Sequence, residues 1–105
     1  MPPKRRSSRA RHLAPFGLYR VAGDSMRPAY APGDTLLGWR WFRPRPGRVV
    51  VARAADGRPL IKRIAAIGAG TVTLLGDNAA ASTDSRTLGP FARTALEAVI
   101  IARLS

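Results

Sequence analysis

From residue 16 onward, short apolar runs alternate with breaks that contain glycine and proline, which is the pattern of β-strands joined by turns. Strands are predicted at residues 18–21, 35–39, 49–53, 60–67, 71–75 and 98–104. Asp56-Gly57 separates the third run from the fourth and predicts a hairpin turn. Only residues 91–98 are suited to a turn or two of helix. The pattern therefore predicts a mostly β protein, a small coiled antiparallel β-fold with at most one short helix near the C-terminus.

Residues 1–14 have a different character, with five basic residues, no acidic residue and no hydrophobic periodicity. We interpret them as a flexible basic arm that precedes a single domain over residues 15–105. The charges are not followed by the apolar stretch of a secretory signal, and no apolar run is long enough to span a membrane. The sequence therefore predicts a cytoplasmic protein with at most weak peripheral membrane contact.

The composition excludes several classes of chemistry. The 105 residues include no cysteine and one histidine, His12, so disulfides, thiolate nucleophiles and Cys- or His-based metal clusters are not expected. Catalysis would have to use hydroxyls, carboxylates, ammonium groups or a bound cofactor, and no cofactor or metal is predicted. The net charge of +12 rests on 18 basic residues, of which only Lys4 and Lys62 are lysine. Such a surface attracts anionic partners, although a simple solvated surface is the favoured interpretation.

The first segment with candidate chemistry is Gly-Asp-Ser-Met-Arg-Pro at residues 23–28. A glycine before Ser25 and a proline soon after it place this serine on a tight, exposed corner at the end of a strand. A nucleophile needs such a position, with a backbone N–H beside it to face a developing oxyanion. Ordinary turn chemistry is the alternative for this segment taken alone.

The second segment is the apolar run at residues 60–67, which carries two adjacent cations. On a strand, Lys62 and Arg63 point to opposite faces, so whichever face forms the core must accommodate a cation. A buried lysine loses proton affinity and can act as a general base toward a serine hydroxyl. The alternative is an edge strand with both charged groups in water.

The third segment, at residues 76–90, concentrates polar groups in a chain that is otherwise poor in acids and amides. Asp84 and Arg86 can pair across one residue, and Ser82 can donate or accept a hydrogen bond at a buried site. Side chains of these types also stabilise turns, so a purely structural role is the alternative.

Together the three segments, GDSMRP, IKRI and GDN-x3-S-x-DSR-x2-GP, resemble in sequence and order the type I signal peptidase family of serine–lysine proteases. The resemblance extends roughly over residues 18–104 and implies the catalytic-core fold of that family. It implies that Ser25 is the nucleophile and Lys62 the general base, with Ser82 hydrogen-bonded to the lysine amine. It further implies supporting roles for Asp77, Asn78, Asp84 and Arg86, and a substrate pocket shaped by Met26 and Pro28.

The chain also departs from the family pattern. Only eight residues separate Ile67 from Gly76, so the large insertion of many members is missing. Some relatives have a serine two residues before the nucleophile as an oxyanion donor, whereas this chain has Gly23 there, so backbone donors are expected to form the oxyanion hole. This short form most resembles the members that mature nickel-type superoxide dismutase. The resemblance implies removal of a short N-terminal leader from a dismutase precursor, which itself would bind the nickel.

Three other functions stay open from the sequence. A signal peptidase without an anchor would act on exported preproteins, with Trp39, Trp41 and Phe42 as a lip toward the membrane unless they are ordinary core residues. Self-cleaving repressor proteases also use serine and lysine, but they lack the third segment and rank lower. A basic nucleic-acid-binding module would use the arm and four arginines, Arg40, Arg43, Arg45 and Arg48. No stable nucleic-acid complex is expected, however.

Overall fold

The structure is a computed structural model that describes residues 15–105, so the predicted arm at residues 1–14 lies outside the described residues. Seven strands form one antiparallel sheet that curls into a half-barrel, in the order β1-β2-β7-β3-β4-β5-β6. The prediction of a mostly β, antiparallel fold is confirmed. The strands are β1 Phe16–Arg20, β2 Thr35–Trp39, β3 Val49–Arg53, β4 Pro59–Ile67, β5 Thr71–Leu75, β6 Phe91–Ala92 and β7 Leu96–Arg103.

The helical turns agree with the prediction only in part. Residues 91–98 contain the short strand β6, a single 3-10 turn at Arg93–Ala95 and the start of β7, rather than a turn or two of α-helix. β7 lies between β2 and β3, and its first residues are extended because they pair with β3. The third candidate segment instead contains a 3-10 turn at Ala79–Ala81 and one α-helical turn, α1, at Ser85–Leu88. Asp84 caps α1 by accepting a hydrogen bond from the backbone N–H of Arg86.

Because the sheet curls, both of its faces carry a hydrophobic cluster. Val49 and Val51 of β3 belong to one cluster, which also contains Met26, and Val50 and Ala52 belong to the other. This double burial explains why β3 is a continuous apolar run instead of an alternating one.

The β1–β2 hairpin has glycines on both strands where an aromatic ring crosses them. A Cβ on Gly38 would lie 2.7 Å from Cε2 of Tyr19 and 3.1 Å from the Cβ of Ala98, so the tyrosine ring needs the glycine beneath it. The Tyr19 hydroxyl donates a hydrogen bond to Glu97 on β7, which ties the hairpin to the centre of the sheet.

The predicted aromatic cluster lies at the start of β1, whereas Ser25 follows the end of that strand. Trp39 packs against the second hydrophobic cluster and contacts the rings of Phe16 and Trp41 edge-on, with centroids 4.9 and 5.9 Å apart. Trp41 itself is exposed. Within residues 15–105, no helix has the length and apolar character needed to cross a membrane.

Candidate active site

Ser25 lies in the turn that connects β1 to β2. The backbone of Val21 is anchored to the far side of this connection, because its N–H donates to Asp34 O over 2.9 Å and its carbonyl accepts from Gly33 N over 2.8 Å. Gly23 has a φ of 81°, a conformation that favours glycine, and it starts the corner that carries the half-buried serine. The structure thus places Ser25 on a tight corner, as the sequence predicts.

The two residues assigned to a substrate pocket have different surroundings. Met26 is almost fully buried, with 1% of its surface exposed, and it lines a cavity beside Ser25. Pro28 is exposed and does not line either of the cavities that contain Ser25. Met26 therefore anchors the turn that carries Ser25 in the core, whereas Pro28 lies on the outside of this turn.

Lys62 lies on β4 and is 4% exposed. At Lys62 the strand pairs with β3 but not with β5, yet the lysine side chain is buried, so the alternative of an edge strand with both charged groups in water is wrong. Burial lowers the pKa of Lys62; the negative charge of Asp84 opposes this shift and the positive charge of Arg86 adds to it. Of the adjacent cations Lys62 and Arg63, Lys62 is therefore the buried one, and its amine releases a proton more readily than that of an exposed lysine.

A chain of hydrogen bonds holds the Lys62 amine. Lys62 Nζ donates to Ser82 Oγ over 3.1 Å, and Ser82 Oγ donates in turn to Asp84 Oδ2 over 2.5 Å. Arg86 Nη1 lies 3.0 Å from the same carboxylate oxygen. Because the proton of Ser82 is directed to Asp84, Ser82 acts as an acceptor toward the amine and leaves the nitrogen lone pair free.

Asp84 is fully buried, yet it remains suited to the ionised form. Burial by itself would raise the pKa of Asp84, but hydrogen bonds from Ser82, Gly76 N and Arg86 N, together with the Arg86 charge, hold that pKa below its usual range. A carboxylate with this many donors is a fixed acceptor. It therefore orients Ser82 without taking the proton that the lysine would exchange.

Gly76 is the point where the first and third segments touch. Its N–H donates to Asp84 Oδ2 over 2.7 Å, and its carbonyl accepts from Arg86 Nη2 over 3.1 Å. A Cβ at this position would lie 2.2 Å from Ser82 Oγ and 2.7 Å from the Ser25 carbonyl oxygen. Only glycine leaves room for the turn that carries Ser25 to approach Ser82 so closely.

Asn78 connects the third segment to the turn that carries Ser25. Its backbone N–H donates to Ser25 O over 2.8 Å, and its side-chain Nδ2 donates to Asp24 O over 3.1 Å. The neighbouring Asp77 accepts two hydrogen bonds from Arg63, over 2.9 and 2.8 Å. Asp77 and Asn78 thus connect β4 to the backbone that carries Ser25.

Arg63 is a site-supporting residue that the sequence analysis did not single out. It occupies the face of β4 opposite Lys62, and besides Asp77 it donates to Gly47 O over 2.8 Å. The signal was present in the sequence, because an arginine next to the candidate base and an aspartate just after the next strand are brought together by antiparallel pairing of β4 and β5.

Two adjoining cavities, of about 280 and 370 Å³, flank the serine and the lysine. Ser25, Lys62 and Leu60 line both of them. Among the hydrogen bonds of the described residues, none joins Ser25 Oγ to Lys62 Nζ, and the amine is held by Ser82 instead. In enzymes without bound substrate the hydrogen bond between nucleophile and base is often long, and it shortens when substrate fills the cleft.

A curled antiparallel sheet with a candidate nucleophilic serine and a buried lysine at one cleft has the fold of the serine–lysine peptidases. The family model described as peptidase S24-like matches residues 8–100, and the chain belongs to this family. The match starts within the predicted arm and corresponds to a superfamily that includes the signal peptidases, not to the signal peptidase family by itself. No curated protein matches the chain.

Proposed function

We propose that the protein is a serine endopeptidase in which Ser25 is the nucleophile and Lys62 the general base. The observation that carries this proposal is the buried Lys62 amine, held by Ser82 and lining the same cavities as Ser25. A buried lysine is costly for the fold, and its lowered pKa suits proton transfer.

In this mechanism the Ser25 hydroxyl attacks the scissile carbonyl while the neutral Lys62 amine accepts the hydroxyl proton. The backbone N–H of Ser25 donates to the oxyanion, since Gly23 offers no side-chain donor. The Lys62 ammonium then gives its proton to the leaving amine, and the C–N bond breaks to leave an ester on Ser25. A water molecule then gives a proton to Lys62 and attacks the ester carbonyl. Lys62 passes this proton to the Ser25 oxygen as the ester bond breaks, which releases the acid product and restores the serine hydroxyl.

The hydrogen-bond chain behind the lysine has a defined task in this mechanism. Asp84 and Arg86 orient Ser82, and Ser82 keeps the amine from rotating away from the nucleophile. Because Arg86 also neutralises Asp84, the carboxylate attracts the lysine proton less strongly than an unpaired carboxylate would. Lys62 can therefore be both well oriented and readily deprotonated.

The substrate would bind in extended form along β4. Residues 59–62 pair with β3, whereas pairing with β5 begins only at Arg63, which leaves the second edge of these four residues open toward the cavities. We propose that a peptide segment pairs with this edge by main-chain hydrogen bonds and presents its scissile bond to Ser25.

The substrate is proposed to be a precursor protein that loses a short N-terminal leader. The similarity to the short signal peptidase-like proteases favours the precursor of nickel-type superoxide dismutase, and exported preproteins are the alternative. The cytoplasmic location also remains a prediction from the sequence.

The test combines the purified full-length protein with each candidate precursor and identifies the new N-terminus by mass spectrometry. Ser25→Ala and Lys62→Met are expected to lower kcat by about a thousandfold or more, because either change removes half of the nucleophile–base pair. Ser105→Ala at the exposed C-terminus is the matched control for the serine, and Lys4→Met, which changes the other lysine of the chain, is the control for Lys62. Cleavage at an unchanged rate by Ser25→Ala would show that the assignment is wrong.

A further inference from the structure

Two arginines line the cavity that contains Met26. Arg20, the last residue of β1, and Arg58, in the turn between β3 and β4, both contribute to this cavity of about 280 Å³. The buried side chains of Val21 and Met26 form part of its wall. The cavity thus combines apolar side chains with two arginines next to Ser25.

The charge of these arginines is poorly balanced within the cleft. Among the described residues, Asp24 is the only carboxylate that lines either cavity; it lines the larger one and is already paired with Arg27 at 2.5 Å. Arg58 is paired with Asp56 at 2.7 Å in an exposed position. Arg20 is exposed and makes no ion pair within residues 15–105.

We propose that Arg20, assisted by Arg58, selects substrates that carry an aspartate or glutamate within about three residues of the scissile bond. This inference rests on the proposed peptidase function and names the chemical class of its substrates. A peptide laid along β4 would cover the cavity, and the bound peptide would itself screen from water a hydrogen bond between its carboxylate and the guanidinium, which strengthens such a bond. The apolar lining suits the aliphatic stem of an amino-acid side chain, and hence a peptide.

The experiment starts from a peptide mixture obtained by digesting a whole-cell extract with an unrelated endopeptidase. The full-length protein is added, new termini that depend on Ser25 are identified by mass spectrometry, and the residues around each cleavage site are counted. Synthetic peptides with glutamate or glutamine at the enriched position then give the ratio of kcat/KM for the two. We expect this ratio to be about tenfold in favour of glutamate, as for one partly shielded charge-assisted hydrogen bond.

Substitutions assign the preference to the arginines. The ratio should fall in Arg20→Gln and approach one in the double variant Arg20→Gln/Arg58→Gln, and Arg20→Glu should favour a lysine-containing peptide instead. Arg93→Gln is the matched control, since Arg93 is exposed and lies outside the residues that line either cavity. Thermal unfolding of each variant confirms that the fold is retained.

The outcomes separate this inference from the proposed function. Ser25-dependent cleavage with no acidic preference, or a preference that survives in the double variant, overturns the inference and leaves the peptidase assignment standing. Cleavage of no peptide in a Ser25-dependent manner overturns both.

Discussion

Replacing Gly76 by alanine tests whether close contact between the turn that carries Ser25 and the third segment is needed for activity. The new Cβ would lie 2.2 Å from Ser82 Oγ and 2.7 Å from the Ser25 carbonyl oxygen, well inside van der Waals contact. Both oxygens belong to groups that hold the proposed catalytic pair. The serine hydroxyl would have to move by roughly 1 Å to restore an ordinary contact, and it would carry the Lys62 hydrogen bond with it.

The size of the effect follows from this displacement. A misplacement of about 1 Å lowers the rate of an oriented reaction by about a hundredfold. The overpacking itself costs about 1–3 kcal/mol in the free energy of unfolding, as for an added methyl group in a filled core. The Gly76→Ala variant is therefore expected to remain folded at room temperature while its kcat/KM falls by about two orders of magnitude.

Gly38→Ala provides a matched control, because its Cβ would meet Tyr19 Cε2 at 2.7 Å in the core away from the nucleophile. Both variants are compared with the wild type by thermal unfolding and by kcat/KM for cleavage of the precursor, at a temperature where all three are folded. The melting temperature should fall by about 4–8 °C for each kcal/mol lost in both variants, whereas only Gly76→Ala should lose activity out of proportion to its stability.

The reasoning would be refuted if Gly76→Ala kept a kcat/KM within about threefold of the Gly38→Ala value. That result would mean that Ser82 and the Ser25 turn can separate without consequence, so that their contact would not contribute to orienting Lys62.

Three further predictions concern protonation, anchoring and the arm. Activity should rise with pH through the pKa of Lys62, which lies below the ordinary lysine value of 10.5. Between the lowered and the ordinary pKa the unfolded chain binds more protons than the folded chain, so the stability of the wild type rises with pH in this window. The gain in unfolding free energy from Lys62→Met should therefore be largest at low pH and shrink as pH rises through the window, which denaturant titrations at several pH values check. Asp77→Asn breaks the partly exposed pair with Arg63 and should cost less than about 1 kcal/mol in the free energy of unfolding. Its loss of kcat should be larger than this loss of stability explains, because the change loosens the backbone that holds Ser25. Equal losses of kcat in Asp77→Asn, Arg63→Gln and the double variant would show that the two residues act through their pair, and additive losses would contradict this. Deletion of residues 1–14 should leave cleavage intact at high salt and slow association with an acidic precursor at low salt; loss of activity at both salt concentrations would place the arm within the catalytic domain.

Local patterns in the sequence were sufficient to predict the bounds of those strands whose limits are set by neighbouring residues. The strands at residues 35–39, 49–53 and 71–75 have the predicted bounds, and each begins directly after a turn that contains glycine. The start of β7 was placed two residues too late, since Leu96 and Glu97 carry no strand signal of their own and become extended by pairing with β3. Helical propensity in the same stretch was outweighed by that pairing.

The candidate site shows the same division. The resemblance of the three segments to the serine–lysine proteases selected Ser25, Lys62, Ser82, Asp84 and Arg86 as a group, although each segment taken alone also fitted an ordinary structural role. The choice between Lys62 and Arg63 as the buried cation was open, because a strand presents its two faces equally until other strands cover one of them. The described fold buries Lys62 against the hydrogen-bond chain and leaves Arg63 to Asp77 on the other side.

Sequence alone therefore determined the strand-rich character of this chain and the residue types of its candidate site, because short-range periodicity and motif spacing are properties of neighbouring residues. Only the tertiary structure decided which groups meet. The contact of Asn78 with the Ser25 carbonyl joins residues more than fifty positions apart, and the convergence of Arg20 and Arg58 on one cavity depends on how the sheet curls. Such contacts follow from long-range strand pairing and burial, which local sequence patterns do not encode.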